Sequence, residues 1–258
     1  MQDDHCEIIA GYQITTQCID SCVGQVVRWI KAGERKRYFV CANPHSLELA
    51  RKDTLFRETI CNADLVTPDG IGIVIASKIH NGTVRNRVTG SDIFLGLSRA
   101  LNQEDGYRYF FLGSTQETLS LIKERMKVEF PNIEVAGTYS PPFKTELSEA
   151  DSKAMIESVN RAQPHVLWVG MTAPKQEKWV FQHRDQLQVR FIGPIGAAFD
   201  FFAGTKKRSG GWFRDRGYER LPRLLREPRR LWHRNFVTFP IFVFRNIVTR
   251  IYNKNHIL

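Results

Sequence analysis

The sequence predicts an α/β fold: a mostly parallel, Rossmann-like sheet with helices on both faces, followed by a C-terminal helical basic appendage. Three observations predict it. Apolar strand-type runs alternate with amphipathic helical segments through residues 1–204, the pattern of successive βα units. The strand runs, such as RYFVCA and VLWVG, are continuously apolar, as in strands covered on both faces. Charge then divides the chain. Residues 205–235 hold eleven Lys/Arg and three Asp/Glu, whereas residues 1–204 hold 23 basic and 24 acidic groups. The expected division is an α/β domain over 1–204 and an appendage over 205–258. At 258 residues the chain is long enough for a large core.

Taken in order, Glu7 to Thr15 reads as an opening strand. Asp20 or Ser21 caps a helix with Val23, Val26, Val27 and Ile30 at helical spacing. Arg37–Ala42 is a buried-type strand ending at Asn43-Pro44, and a helix carrying Leu47 and Leu49 follows. Leu65-Val66 is the next strand. It turns at Thr67-Pro68-Asp69-Gly70 into an apolar helix from Ile71 to Ile79. A polar link with Arg85 and Arg87 leads to the start signal Thr89-Gly90-Ser91-Asp92 and a helix through Ala100. Tyr107–Leu112 is a strand stopped by Gly113, and Ser114 to Glu117 is a capping-box pattern opening a helix through Val128. Ile133–Tyr139 is a strand, Ser148–Arg161 a helix, and His165–Val169 a central strand ending at Gly170. Pro174 opens a helix, and Arg190–Ile195 is the last strand.

Five cysteines, Cys6, Cys18, Cys22, Cys41 and Cys61, lie in the first quarter of the chain. Their odd number and the lack of a Cys-x-x-Cys pair speak against a disulfide framework or a zinc site. No signal peptide is recognisable, and no run reaches the roughly 20 apolar residues of a spanning helix. A reduced, cytosolic compartment is expected. The basic tail implies an anionic partner.

The candidate site follows from the strand ends. In a parallel sheet the loops after Ala42, Val66, Gly113, Gly170 and Ile195 gather on one rim. Helix N-termini there favour phosphate through free N–H groups and the helix dipole. The same rim carries the carboxylates Asp69 and Asp200 and the amides Asn43 and Gln176, and Arg87 can return to it. This composition points to a nucleotide or sugar-phosphate pocket. Neither a Gly-x-Gly-x-x-Gly fingerprint nor a P-loop is present, and there is no Asp-x-Asp pair to bridge a metal to a diphosphate. Taken locally, Asp69 in Pro-Asp-Gly reads equally as a helix cap in a turn.

Four motifs in order, Thr67-Pro68-Asp69-Gly70, Arg87-Val88-Thr89-Gly90-Ser91-Asp92, Pro174-Lys175-Gln176-Glu177 and the tail stretch GYERLPRLLREPRR from Gly217 to Arg230, resemble the WecG/TagA/CpsF glycosyltransferase family. The resemblance runs from about Ile8 to Arg234. It implies transfer of a sugar from a UDP-sugar to a polyprenyl diphosphate-linked sugar, with inversion, in surface polysaccharide or teichoic-acid linkage assembly. It implies no metal and no cofactor, and a peripheral position on the inner face of the cell membrane. By motif position Asp69 resembles the general base. Arg87 would neutralise charge on the departing UDP, and Asn43 and Gln176 position substrate. Asp200 faces the nucleotide or serves as a structural acid. Cys41 stands where the family often has Thr, a better hydrogen-bond partner than a thiol. In the tail, Arg223 and Arg230 are the resemblance's candidates for contacting diphosphate.

Residues Phe236–Ile251 are apolar nearly all round, too short to span and interrupted by Pro240. With the arginines before them they read as an interfacial anchor on an anionic membrane, or as a helix packed into a homo-oligomer. A different class of reading uses the tail's Trp212, Phe213, Tyr218 and Trp232 to bind nucleic acid. The apolar segment beyond them argues against it, and no nucleic acid is expected.

Overall fold

The computed structural model describes residues 5–206 and 233–255. Its main sheet has six parallel strands in the order β4-β3-β8-β7-β5-β6. These are β3 (Arg37–Ala42), β4 (Leu65–Pro68), β5 (Tyr107–Gly113), β6 (Ile133–Tyr139), β7 (Val166–Gly170) and β8 (Phe191–Pro194). Two apolar cores lie on the two faces. One joins Val40, Leu167 and Ile192 to Leu47, Ile73, Met155 and Val180. The other joins Phe39, Phe111 and Trp168 to Val26, Phe94, Ile122 and Phe199. Strand residues therefore feed both cores alternately. That is why these strands read as unbroken apolar runs.

The helices sort by core. On the first face lie α2 (Pro44–Ala50), α3 (Thr54–Cys61), α4 (Ile71–Ile79), α7 (Glu149–Ala162) and α8 (Lys175–His183). On the second lie α1 (Ile19–Lys31), α5 (Gly90–Leu101), α6 (Gln116–Glu129) and α9 (Ala198–Ala203). The predicted fold class is thus observed, with local departures. The opening strand is a hairpin, β1 (Cys6–Ile9) and β2 (Tyr12–Thr15), which pairs only with itself. Ala10 and Gly11 at φ 53° and 88° make its tight turn, and so divert the chain from the main sheet. Cys18, rather than Asp20 or Ser21, precedes α1 and makes no side-chain cap bond. Thr115, not Ser114, caps α6. Helix α3 has no counterpart in the sequence reading, although Asp53 caps it by accepting from the Phe56 N–H at 2.9 Å.

The C-terminal segment differs most. Pro240 does not break it: after a π-helical stretch, His233–Thr238, it falls at the start of a continuous helix α10 (Phe239–Asn255), where the missing N–H is of no consequence. This helix packs against α2 and α4. Phe242 is fully buried in the first core. Arg245 pairs with Glu48, and His80 Nε2 donates to Asn246 Oδ1 at 3.1 Å. Phe239 lies against Gly72, where a Cβ would meet its ring at 2.9 Å and Pro44 at 2.3 Å. Truncating Phe242 to Ala is therefore expected to destabilise the protein by about 3–5 kcal/mol, read as a lower midpoint in urea unfolding. An unchanged midpoint would mean that α10 is not part of this core.

Candidate functional site

Adjacent strands β3 and β8 send their helices to opposite faces: β3 runs into α2 and β8 into α9. Such a switch opens a crevice at the carboxyl ends of the strands, where open α/β sheets bind ligands. The predicted residues Cys41, Asn43, Asp69 and Gln176 all follow or end the strands on this rim. Register places two of them side by side. Ala42 pairs with Pro68, and the Asp69 N–H donates to Ala42 O at 2.8 Å, so Asn43 and Asp69 leave the sheet as neighbours.

Asp69 sits in a turn that only glycine can complete. Gly70 has φ 98° and ψ 154°, and serves as the N-cap of α4 without any side-chain cap bond. Asp69 thus stands one residue before the N-cap of α4 rather than at it. The 85–89 loop returns to the same corner because the Val88 N–H donates to Pro68 O at 2.9 Å. That bond brings Arg87 to the Asp69 turn. Thr89 then caps α5 in a reciprocal box with Asp92: the Asp92 N–H donates to Thr89 Oγ1 at 3.3 Å, and the Thr89 N–H donates to Asp92 Oδ2 at 3.0 Å.

Asn43 caps α2. Its Oδ1 accepts from the His45 and Ser46 N–H groups, both at 3.1 Å. The cap occupies the oxygen and leaves Nδ2 as the end that can donate to a ligand. Cys41 receives a bond from Thr67 Oγ1 at 3.6 Å. Burial raises its thiol well above the usual range, and the charges of Asp69, Glu177 and Asp92 push in the same direction. The thiol is held protonated. Among the described residues no three such groups converge closely enough to hold one metal ion.

Asp200, on α9, forms an ion pair with Lys206 at 2.7 Å, and its backbone oxygen accepts from Thr205 and Lys206. Here the acid ties down the start of the basic segment. Arg223, Arg230, Trp212, Phe213, Tyr218 and Trp232 lie outside the described residues.

One residue of the site was not singled out in the sequence: Glu177, next to Gln176. It is 5% exposed, and burial pushes its carboxyl from the usual glutamate value up to about 7. Only its position in the Pro-Lys-Gln-Glu stretch marked it. Glu177 binds its proton more tightly folded than unfolded, so it lowers stability as pH rises from about 4.5 to about 7. Wild-type protein should lose thermal stability across that window, and Glu177→Gln should flatten that part of the curve. Equal slopes for both would show that Glu177 does not titrate there.

Comparison with known proteins agrees with this geometry. The family model for "Glycosyl transferase WecG/TagA/CpsF family" matches residues 7–256. The chain is 30% identical over 206 residues to an N-acetylglucosaminyldiphosphoundecaprenol N-acetyl-beta-D-mannosaminyltransferase of Bacillus spizizenii, covering 80% of this chain and 77% of that one. It is 29% identical over 192 residues to the enzyme of that name in Bacillus subtilis strain 168, covering 74% and 72%. It is 26% identical over 211 residues to that of Staphylococcus aureus strain MW2, covering 81% and 78%. With nearly its whole length matched, the chain belongs to the WecG/TagA/CpsF family of glycosyltransferases.

Proposed function

We propose that this glycosyltransferase moves a hexosyl group from a UDP-sugar to a polyprenyl diphosphate-linked sugar, with inversion and without a metal, in surface polysaccharide or teichoic-acid linkage assembly. The observation that carries the reading is the meeting of Asp69 and the Arg87 loop with Asn43 at the β3–β4 corner, beside the switch crevice. The names of the relatives supply the acceptor class, an N-acetylglucosaminyl diphosphate carried on a polyprenol.

In this reading the acceptor hydroxyl attacks the anomeric carbon from the face opposite UDP. The new C–O bond forms as the bond to the diphosphate oxygen breaks, and the electron pair leaves on UDP. The hydroxyl proton passes to the Asp69 carboxylate, a general base. Arg87 and the helix N-termini of the rim offset the charge growing on the diphosphate. Asn43 Nδ2 and the Gln176 amide hold substrate oxygens, and Cys41 fills the pocket floor. Arg223 and Arg230 of the tail, with its high positive charge, meet the diphosphates from the membrane side. The deciding experiment incubates full-length protein with a panel of labelled UDP-sugars, UDP-N-acetylmannosamine among them, and a polyprenyl diphosphate-N-acetylglucosamine acceptor. Transfer of label to lipid is expected, unaffected by chelator. A panel with no transfer, or activity lost with EDTA and restored by a divalent ion, overturns the reading or its metal-free part respectively.

The same reading places the protein on the inner face of the cell membrane as a peripheral protein. No helix among the described residues is long and apolar enough to cross a membrane. Yet α10, tied down by Phe242 and Asn246, turns Ile241, Phe244, Ile247 and Ile251 outward at 41%, 67%, 41% and 55% exposure. Exposed apolar side chains on a helix beside a strongly basic segment suit an anionic bilayer surface. Replacing these four by Glu should leave folding intact and abolish sedimentation with anionic vesicles. Retained vesicle binding would sink the membrane role, and a drop from dimer to monomer would assign the face to a second copy instead.

A further inference from the structure

Gln176 and Glu177 lie in the first turn of α8, 3% and 5% exposed. Gln176 Oε1 accepts from the Met171 N–H at 3.1 Å, and its Nε2 donates to Glu177 Oε1 at 2.8 Å. Held at Oε1 alone, the amide could swing about that bond. The second bond sets its plane and aims the remaining Nε2 hydrogen. The amide lies against Gly196, where a Cβ would stand 3.4 Å from Nε2 and 3.5 Å from Oε1, so it sits at the end of β8, on the switch crevice.

Among the described residues the only side-chain partner of the Glu177 carboxyl is Gln176, and the one backbone group that bonds it is its own N–H. Its Oε2 is buried without a hydrogen bond among the described residues. An acid buried in this way destabilises a fold, and an apolar side chain of equal size would fill the space without that penalty. Such an acid is expected where its remaining contact serves a site.

We propose that Glu177 is a positioning residue, whose Oε1 holds the Gln176 amide as a hydrogen-bond donor to an oxygen of the bound sugar nucleotide. The inference rests on the reading of Gln176 as a substrate contact. The test is a double-mutant cycle on full-length protein, measuring kcat and KM for transfer together with thermal unfolding. Gln176→Ala and Glu177→Met should each lower kcat/KM about 10-fold, mainly through KM, as loss of one positioned hydrogen bond would. The double variant should be no worse than either single one within about 2-fold, since both changes remove the same contact. Glu177→Gln, whose amide oxygen still accepts, should restore activity. Glu177→Asp keeps the charge but draws the acceptor back by one methylene, and should behave as Glu177→Met does even if the latter is poorly folded.

Three results separate the possibilities. Wild-type kinetics for Gln176→Ala would remove the substrate contact itself, and the inference with it. An impaired Gln176→Ala beside a folded, fully active Glu177→Asp would overturn the inference alone. Additive losses in the double variant would also overturn it, because Glu177 would then act independently of Gln176.

Discussion

Asp69→Asn is expected to fold as the wild type and to lose about 10²–10⁴-fold in transfer rate, the usual contribution of a positioned general base. The N-cap of helix α4 is Gly70, so the substitution leaves the cap residue itself unchanged. The turn itself is made by the Gly70 backbone and by the Asp69 N–H bond to Ala42 O, both of which an amide side chain leaves in place. Binding of the UDP-sugar should persist, because an amide keeps the size and polarity of the side chain and gives up only its ability to take the proton. One further consequence is measurable. Asp69 is among the charges that keep the Cys41 thiol protonated, so neutralising it should lower that pKa and speed alkylation of Cys41. Transfer within a few-fold of wild type, with nucleotide binding unchanged, would end the assignment of Asp69 as base.

Arg87→Ala is expected to cost about 10²–10³-fold in kcat, the scale seen when one preorganised charge-stabilising donor is removed. The loop that carries Arg87 is held by its neighbours: Val88 bonds to Pro68 O, and Thr89 and Asp92 cap α5. Loss of the side chain should therefore leave the rim standing and the melting temperature nearly unchanged. Arg87→Lys should recover only part of the rate, since a point charge lacks the planar fork that meets two phosphate oxygens. The sign of the effect separates binding from catalysis. A rise in KM alone would make Arg87 an anchor of the ground state, whereas a fall in kcat marks stabilisation of the leaving diphosphate. An unaltered kcat/KM would show that charge on UDP is met elsewhere.

The sequence by itself determined the architecture. Continuous apolar runs such as Val166–Val169 require cover on both faces of a sheet, and the alternation of runs with amphipathic segments requires parallel βα units. Two of the motifs, Thr67–Gly70 and Pro174–Glu177, likewise follow strands by order alone. Tertiary structure decided what is set by long-range contact. No local signal says that Ala10-Gly11 turns the first strand back on itself, because the same apolar residues suit one long strand or a hairpin. Helix α10 was legible as apolar but not as two-faced: Phe242 and Asn246 are distinguished from Ile241 and Phe244 only by what α2 and α4 place against them. The site shows the same limit. Asp69 as cap and Asp69 as base are one pattern in the sequence. The bond of Val88 to Pro68 O, which returns the Arg87 loop to Asp69 across a stretch of twenty residues, exists only in the folded chain. Glu177 was marked only by its place in the Pro-Lys-Gln-Glu stretch, since an acid in the first turn of a helix is ordinarily solvated, and here burial alone makes it otherwise.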